Sequence, residues 1–268
     1  MKFAALTVSL IAAVAIPRAA QADPSLHRTV LDVRFAGLSV GKATFDISID
    51  GSRYEMKLNG RTTGVADVFA PGRGEVESAG EARPELILAS TNRTHYSGKD
   101  ENSTLNMEFR DGEVTKVKLE TTKPRKKLGK KWVPVQPEHL RSVVDPASAI
   151  VISVEPARAN DPRAVCDRTL NIYDGDARYD MKLSYKKTLP VNTKGYKGYA
   201  YVCKLKYIPI AGHKTGQRNI EYMQKNDGIE LWVAPIAKSP VYTVIRVEVP
   251  TWLGTVSAMP AYFGSVTK

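Results

Sequence analysis

Several places in this sequence hold residue types that can do chemistry. Gly37-Leu38-Ser39-Val40-Gly41 matches the G-x-S-x-G pattern of a nucleophile elbow, in which a strand turns sharply into a helix and exposes a serine for attack. Here "LDVRF" precedes the motif and "KATFDISID" follows it, so both flanks are strand-like and the glycines read as hairpin punctuation. Asp174-Gly175-Asp176 with Asp180 offers oxygen ligands, as a calcium loop would. That loop also needs an oxygen ligand at its fifth position, glycine at the sixth and glutamate at the twelfth. Those positions hold Arg178, Tyr179 and Tyr185, so a turn is the better reading. The histidines, His27, His95, His139 and His213, are far apart and show no metal-ligand spacing. Each reads as a surface or loop residue.

Two features remain. Cys166 and Cys203 are the only cysteines, and without a C-x-x-C motif they suggest a structural pair rather than a redox site. Lys123, Arg125, Lys126, Lys127, Lys130 and Lys131 crowd a short run that ends at Trp132. The ordinary meaning of such a run is a solvated loop. The sharper one is a contact for anionic lipid headgroups or an envelope polymer, with Trp132 suited to the interface.

The compartment bears on both. Residues 1–22 read as a secretory leader: Lys2 gives the basic start, Phe3 to Ile16 an apolar stretch, and Ala20-Gln21-Ala22 an A-x-A cleavage site. The apolar stretch is too short to span a bilayer, which takes about 20 residues. The expected product is a periplasmic chain, 23–268, with no transmembrane segment. The leader removes Lys2 and Arg18 and no acid, so the net charge of +11 falls to +9. A basic exported chain meets anionic surfaces, and its address argues against nucleic acid. Export also favours a Cys166–Cys203 disulfide.

The elements that must position these residues are strands. "ATFDISI" puts Ala43, Phe45, Ile47 and Ile49 on one face and polar residues on the other, Asp50-Gly51 turns, and Tyr54, Met56 and Leu58 resume the alternation. The pattern recurs around Asp111-Gly112, Asp174-Gly175 and Asp227-Gly228, each read as a hairpin turn. The fold class expected is mostly β: an antiparallel meander forming a curled, half-open barrel or a sandwich, with one or two short helices. Asp145-Pro146 marks a helix start in "HLRSVVDPASAIVISV". The basic, proline-punctuated stretch 122–139 marks a seam between two β-rich halves of a single domain.

A two-residue turn at Asp174-Gly175 would pair Ile172 with Ala177, Leu170 with Tyr179, Arg168 with Met181 and Cys166 with Leu183. Tyr179, Met181 and Leu183, together with Tyr201, Leu205 and Tyr207 on the strand that carries Cys203, would then form an apolar inner face able to hold a ligand. In a simple meander the cysteines would sit two strand spacings apart, about 9–10 Å, too far for a disulfide. Either their strands are neighbours or Cys166 lies in a segment that bends across; the spacing leaves both open.

"CDRTLNIYDGDARYDMKLSY", "YVCKLKYIPIAGH" and "IELWVAP", with "FAGLSVGKATFDI" and "VDPASA" before them, resemble the domain of unknown function 3108 family over most of the mature chain. The resemblance implies an exported, β-rich protein of the Gram-negative envelope, with no established catalytic residues to carry over. It also implies loose kinship in fold with half-open barrels of the lipoprotein-carrier type. The function expected is therefore non-enzymatic: binding of an apolar or amphipathic ligand or an envelope partner, with no cofactor or metal. The alternatives are a hydrolase of envelope polymers, which needs paired carboxylates or an activated nucleophile, and a small outer-membrane barrel.

Overall fold

A computed structural model describes residues 25–123, 129–237 and 239–266. The leader and Arg125, Lys126 and Lys127 lie outside the described residues. The strands of the first half are β1 (Ser25–Phe35), β2 (Leu38–Asp50), β3 (Arg53–Thr62), β4 (Gly72–Arg83), β5 (Leu86–Gly98), β6 (Asn102–Arg110) and β7 (Glu113–Thr121). The short β8 (Trp132–Val133) and β9 (Val151–Ser153) follow. The second half holds β10 (Thr169–Tyr173), β11 (Arg178–Thr193), β12 (Tyr196–Ala211), β13 (His213–Lys214), β14 (Glu230–Pro235), β15 (Val241–Thr251) and β16 (Gly254–Val266). Among the described residues three short α-helices interrupt them: α1 (Val65–Phe69), α2 (Pro162–Cys166) and α3 (Arg218–Lys225).

Apart from β8 and β13, which pair with each other, these strands form one large antiparallel sheet in the order β10-β11-β12-β14-β15-β16-β1-β2-β3-β4-β5-β6-β7, with β9 added against β15. The two halves meet where β16 pairs with β1, from Leu26 opposite Val266 to Phe35 opposite Val256. The sheet does not close, and β7 and β10 are its edges. Charged Lys116, Lys118 and Glu120 on β7 make that edge a poor template for further strand pairing. The hairpins follow local turn chemistry. Arg110 faces Glu113 across Asp111-Gly112, and both turn residues have positive φ, 52° and 79°, as a type I′ turn requires.

The sheet curls around a segment of its own chain. Val143, Ala147, Ala149, Val151, Ile152 and Val154 are all buried. Most of this segment joins Phe45, Ile47, Tyr54 and Met56 of the first half and Leu183, Leu205, Val233 and Val244 of the second in one core. A helix was expected after Asp145. The chain instead makes a single 3₁₀ turn, Ser148–Ile150, and then extends as β9. Pairing of β9 with Val241–Thr243 of β15 satisfies its backbone, which continued helix would have withdrawn from the sheet.

Two further readings change. "RNIEYMQK" forms α3 rather than a strand, so Asp227-Gly228 is not a hairpin turn. Ile220 and Met223 stand three residues apart, on one helical face, and Met223 packs against the core. The hairpin after Cys166 has a four-residue loop, 174–177, because Ile172 pairs with Tyr179 and Leu170 with Met181. The shift from the expected register is two residues, which preserves the faces. Arg168 and Cys166 lie outside the strand altogether.

Candidate functional site

Asp145 is completely buried, at the point where the enclosed segment enters the sheet. Its Oδ1 accepts hydrogen bonds from Ser78 Oγ at 2.8 Å, Asn92 Nδ2 at 2.9 Å and the backbone amides of Ala147 and Ser148 at 3.0 and 3.1 Å. Ser148 Oγ donates to Oδ2 and accepts from the Tyr54 hydroxyl at 2.6 Å. Asn92 also donates to Ser78 Oγ at 2.8 Å, and its own Oδ1 accepts from Thr94 at 3.1 Å. Each partner comes from a different place in the chain: Tyr54 from β3, Ser78 from β4, and Asn92 and Thr94 from β5. Gly80 lets Tyr54 lie across β4, since a Cβ there would stand 2.8 Å from the tyrosine hydroxyl and 2.1 Å from the Leu88 carbonyl oxygen. Burial raises the Tyr54 phenol above its ordinary range. The network thus fixes the enclosed segment to the inner wall of β3–β5.

Beside it lies a cavity of about 280 Å³, walled by Leu58, Val76, Leu105, Met107, Ala147 and Ile150, with Pro146, Asn92, Thr94 and Asp174 completing the lining. The wall is aliphatic and its polar groups converge from the Asp145 network and from the 174–177 loop. Asp174 Oδ1 accepts from the amides of Asp176 and Ala177 at 3.0 and 2.7 Å. Burial raises its carboxyl above the usual range, against the pull of those amides. Gly175, at φ +98°, lets this loop close over Leu105, which a Cβ would meet at 2.6 Å.

The inner face expected to hold a ligand lies elsewhere. Leu183 and Leu205 are buried in the main core, with Met181 and Tyr201 packed against it. The Tyr179 and Tyr207 rings sit 5.3 Å apart. Not one of these six residues lines the cavity. Sequence spacing does not single out Asn92 and Thr94, which line it, or Ser78, which Asn92 bonds; the one signal is polar side chains at inward positions of β4 and β5.

Cys166 and Cys203 form a disulfide with Cα atoms 5.4 Å apart. β11 separates β10 from β12, so it is the bend that brings Cys166 across. Asp161 caps α2 by accepting from the Arg163 amide at 2.9 Å, Pro162 occupies its first turn, and Cys166 ends it. Of the basic run, Lys123 pairs with Glu101 at 3.3 Å, and the Lys131 carbonyl accepts from the Thr215 amide at 2.9 Å. Lys130 is exposed, and half-buried Trp132 faces Lys214 in the β8–β13 pair.

Ser39 lies in β2 just past the Ala36-Gly37 turn, with no helix after it. Asp180 pairs with Arg178 rather than with the Asp174 loop. Among the described residues, no three His, Cys, Asp or Glu side chains are arranged to hold a metal, and no helix is long and apolar enough to cross a membrane. His27 corrects the surface reading given to the histidines. It is buried on β1 with its ring 4.2 Å from that of Phe263, and neither ring nitrogen has a hydrogen-bond partner among the described residues.

A family model described as "Protein of unknown function (DUF3108)" matches residues 30–259. No curated protein matches. Among solved structures, a β-barrel-like protein of domain of unknown function DUF1849 from Brucella abortus is similar. Its TM-score is 0.51 at 10% identity, over 91% of this chain and 99% of that one. At that identity the likeness concerns the fold alone.

Proposed function

We propose, for a chain that belongs to the DUF3108 family of proteins of unknown function, a binding role in the bacterial envelope rather than a catalytic one. The observation that carries the reading is the cavity between β3–β6 and the enclosed segment. At about 280 Å³ it is close to the lower end of small-molecule sites, about 300 Å³, and well above the cavity of about 150 Å³ that can hold benzene. Its aliphatic wall suits a short acyl segment or a single ring. Asn92, Thr94 and Asp174 at its polar side suit the head of an amphipathic ligand. The leader sequence and the Cys166–Cys203 bridge support an exported protein in an oxidising compartment. Catalysis finds little support at the cavity. Ser148 and Asp145 lie in a buried network whose partners among the described residues are Tyr54, Ser78, Asn92 and backbone amides, rather than a histidine or lysine that could act as base.

The test is native mass spectrometry of protein exported with its leader, followed by calorimetric titration of the emptied protein with octanoate. Wild type is expected to carry or take up one ligand per chain. Val76→Phe, which fills the cavity from its wall, is expected to abolish uptake while keeping the β-sheet circular dichroism signal. Equal uptake by wild type and Val76→Phe would rule the cavity out.

A further inference from the structure

One end of the sheet carries large apolar side chains that nothing covers among the described residues. Val68 and Phe69 of α1 are 77% and 80% exposed, Leu38 at the β1–β2 turn 65%, and Trp252 and Leu253 at the β15–β16 turn 64% each. These tips adjoin. The Ala36 amide donates to the Thr255 carbonyl at 2.9 Å, and the Thr63 amide, next to α1, donates to the Val40 carbonyl at 3.0 Å. The Arg218 guanidinium lies over the Trp252 ring at 5.2 Å from its centre.

Just behind the tips, the outer face of the sheet carries a row of like charges. Lys42 pairs in register with Arg61, and Arg61 with Arg73. Directly opposed like charges are unfavourable in a sheet. Only Lys42 of the three has an ion partner among the described residues, Asp32 at 3.9 Å. Asp32 of β1 opens this row, in register with Lys42, and Ser97 of β5 follows Arg73. Asp67 of α1 is taken up by the Thr62 hydroxyl at 2.8 Å, and Glu75, beside Asn59, is one step further from the tips. Four residues down the same strands, the order is Arg28, Asp46, Lys57, Glu77, Arg93, alternating in sign across five strands. The sheet therefore balances its outer charges strand by strand in one row, and in the row beside the apolar tips it pairs Lys42 with Asp32 but leaves Arg61 and Arg73 stacked with no acid in register.

We propose that this edge seats on an anionic lipid bilayer. Phe69, Val68, Trp252 and Leu253 enter the interfacial layer, and Lys42, Arg61 and Arg73 meet lipid phosphates. An anionic surface removes the mutual repulsion of the row, and apolar tips flanked by cations match the depth profile of a headgroup region. The assignment rests on no property of the cavity.

The experiment is co-sedimentation of the 23–268 chain with phosphatidylcholine vesicles and with vesicles of equal parts phosphatidylcholine and phosphatidylglycerol. Wild type should sediment with the anionic vesicles, and more at low than at physiological salt. Arg61→Gln/Arg73→Gln should weaken that binding by about 30-fold at low salt, the equivalent of about 1 kcal/mol per cation, with an unfolding midpoint unchanged or raised. Val68→Ser/Phe69→Ser should weaken it at least tenfold at both salts. Equal sedimentation with both kinds of vesicle, or of all three proteins, would overturn the proposal. So would a wild-type dimer that Val68→Ser/Phe69→Ser dissolves, which would make the edge a protein interface.

Discussion

Two regions of this molecule bury polar side chains to the same depth and treat them oppositely. Beside the cavity, Asp145 is wholly enclosed and every donor around it is aimed at its two oxygens. At the β16–β1 junction, His27 is equally enclosed and its ring nitrogens meet no partner among the described residues. A buried polar group needs partners to replace its lost hydration, and an imidazole without them limits the penalty by staying neutral. The first region gains a fixed geometry: the enclosed segment is tied to three strands, and the cavity wall is left to aliphatic side chains. The second gains only packing, as His27 and Tyr196 place their rings against Phe263. Burial by itself therefore does not identify a working residue; satisfaction of its hydrogen bonds separates the two.

The largest expected effect follows from breaking the satisfied region. Asp145→Ala strands the Ser78 and Ser148 hydroxyls, Asn92 and two backbone amides, at about 1–3 kcal/mol for each buried donor left alone, so at least about 5 kcal/mol of stability should be lost. Urea unfolding of wild type and variant would check this, with the midpoint falling and the slope unchanged. A loss under about 1 kcal/mol would show that water enters and replaces the carboxylate, and the contrast with His27 would then fail. Removing the staple is expected to cost somewhat less. A disulfide whose ends are 37 positions apart contributes roughly 4 kcal/mol in the chain-entropy model. Cys166→Ala/Cys203→Ala should lose up to that amount while leaving octanoate uptake intact, since neither cysteine lines the cavity. Loss of uptake in the folded variant would show that the two halves of the interior are coupled.

The sequence made the sheet easier to read than the cavity, for reasons that individual residues show. Hairpins such as Asp111-Gly112 are written in adjacent residues and follow from turn chemistry. The loop 174–177 was harder, because Asp174 uses its side chain to cap the turn and lengthens it by two residues. The segment after Asp145 was misread because a cap and a proline announce a helix, while β15, about 90 residues later, demands an extended partner. Asp145 itself could be seen as a capping residue but not as the hub of Ser78, Asn92 and Ser148, since two of those partners lie 67 and 53 positions away. Polar side chains at inward positions of β4 and β5 are the cavity's one local signal, as its size depends on how far the curling sheet stands off the segment it encloses.

The smallest effect, and the one that sharpens the contrast most, concerns acid. Burial drives the His27 imidazole from an ordinary value of 6.5 down to about 4, against a weaker upward pull from Asp46. Between those two values the unfolded chain binds the proton and the folded chain does not, so stability rises with pH through this window. The contribution is fully present above about 6.5 and is lost as pH falls towards 4, to a ceiling of about 3 kcal/mol. Carboxylates held below their usual range, such as Asp161 beside Arg158, lose stability on acidification too, so the histidine must be isolated by substitution. His27→Leu keeps an apolar side chain against Phe263 and cannot take the proton. Its unfolding free energy, measured by urea at pH 7.5, 6, 5 and 4, should fall less steeply than that of wild type, with the two curves diverging only below about 6.5. Parallel curves would mean that the imidazole is protonated or hydrated within the fold, and that the β16–β1 junction satisfies its buried polar group after all.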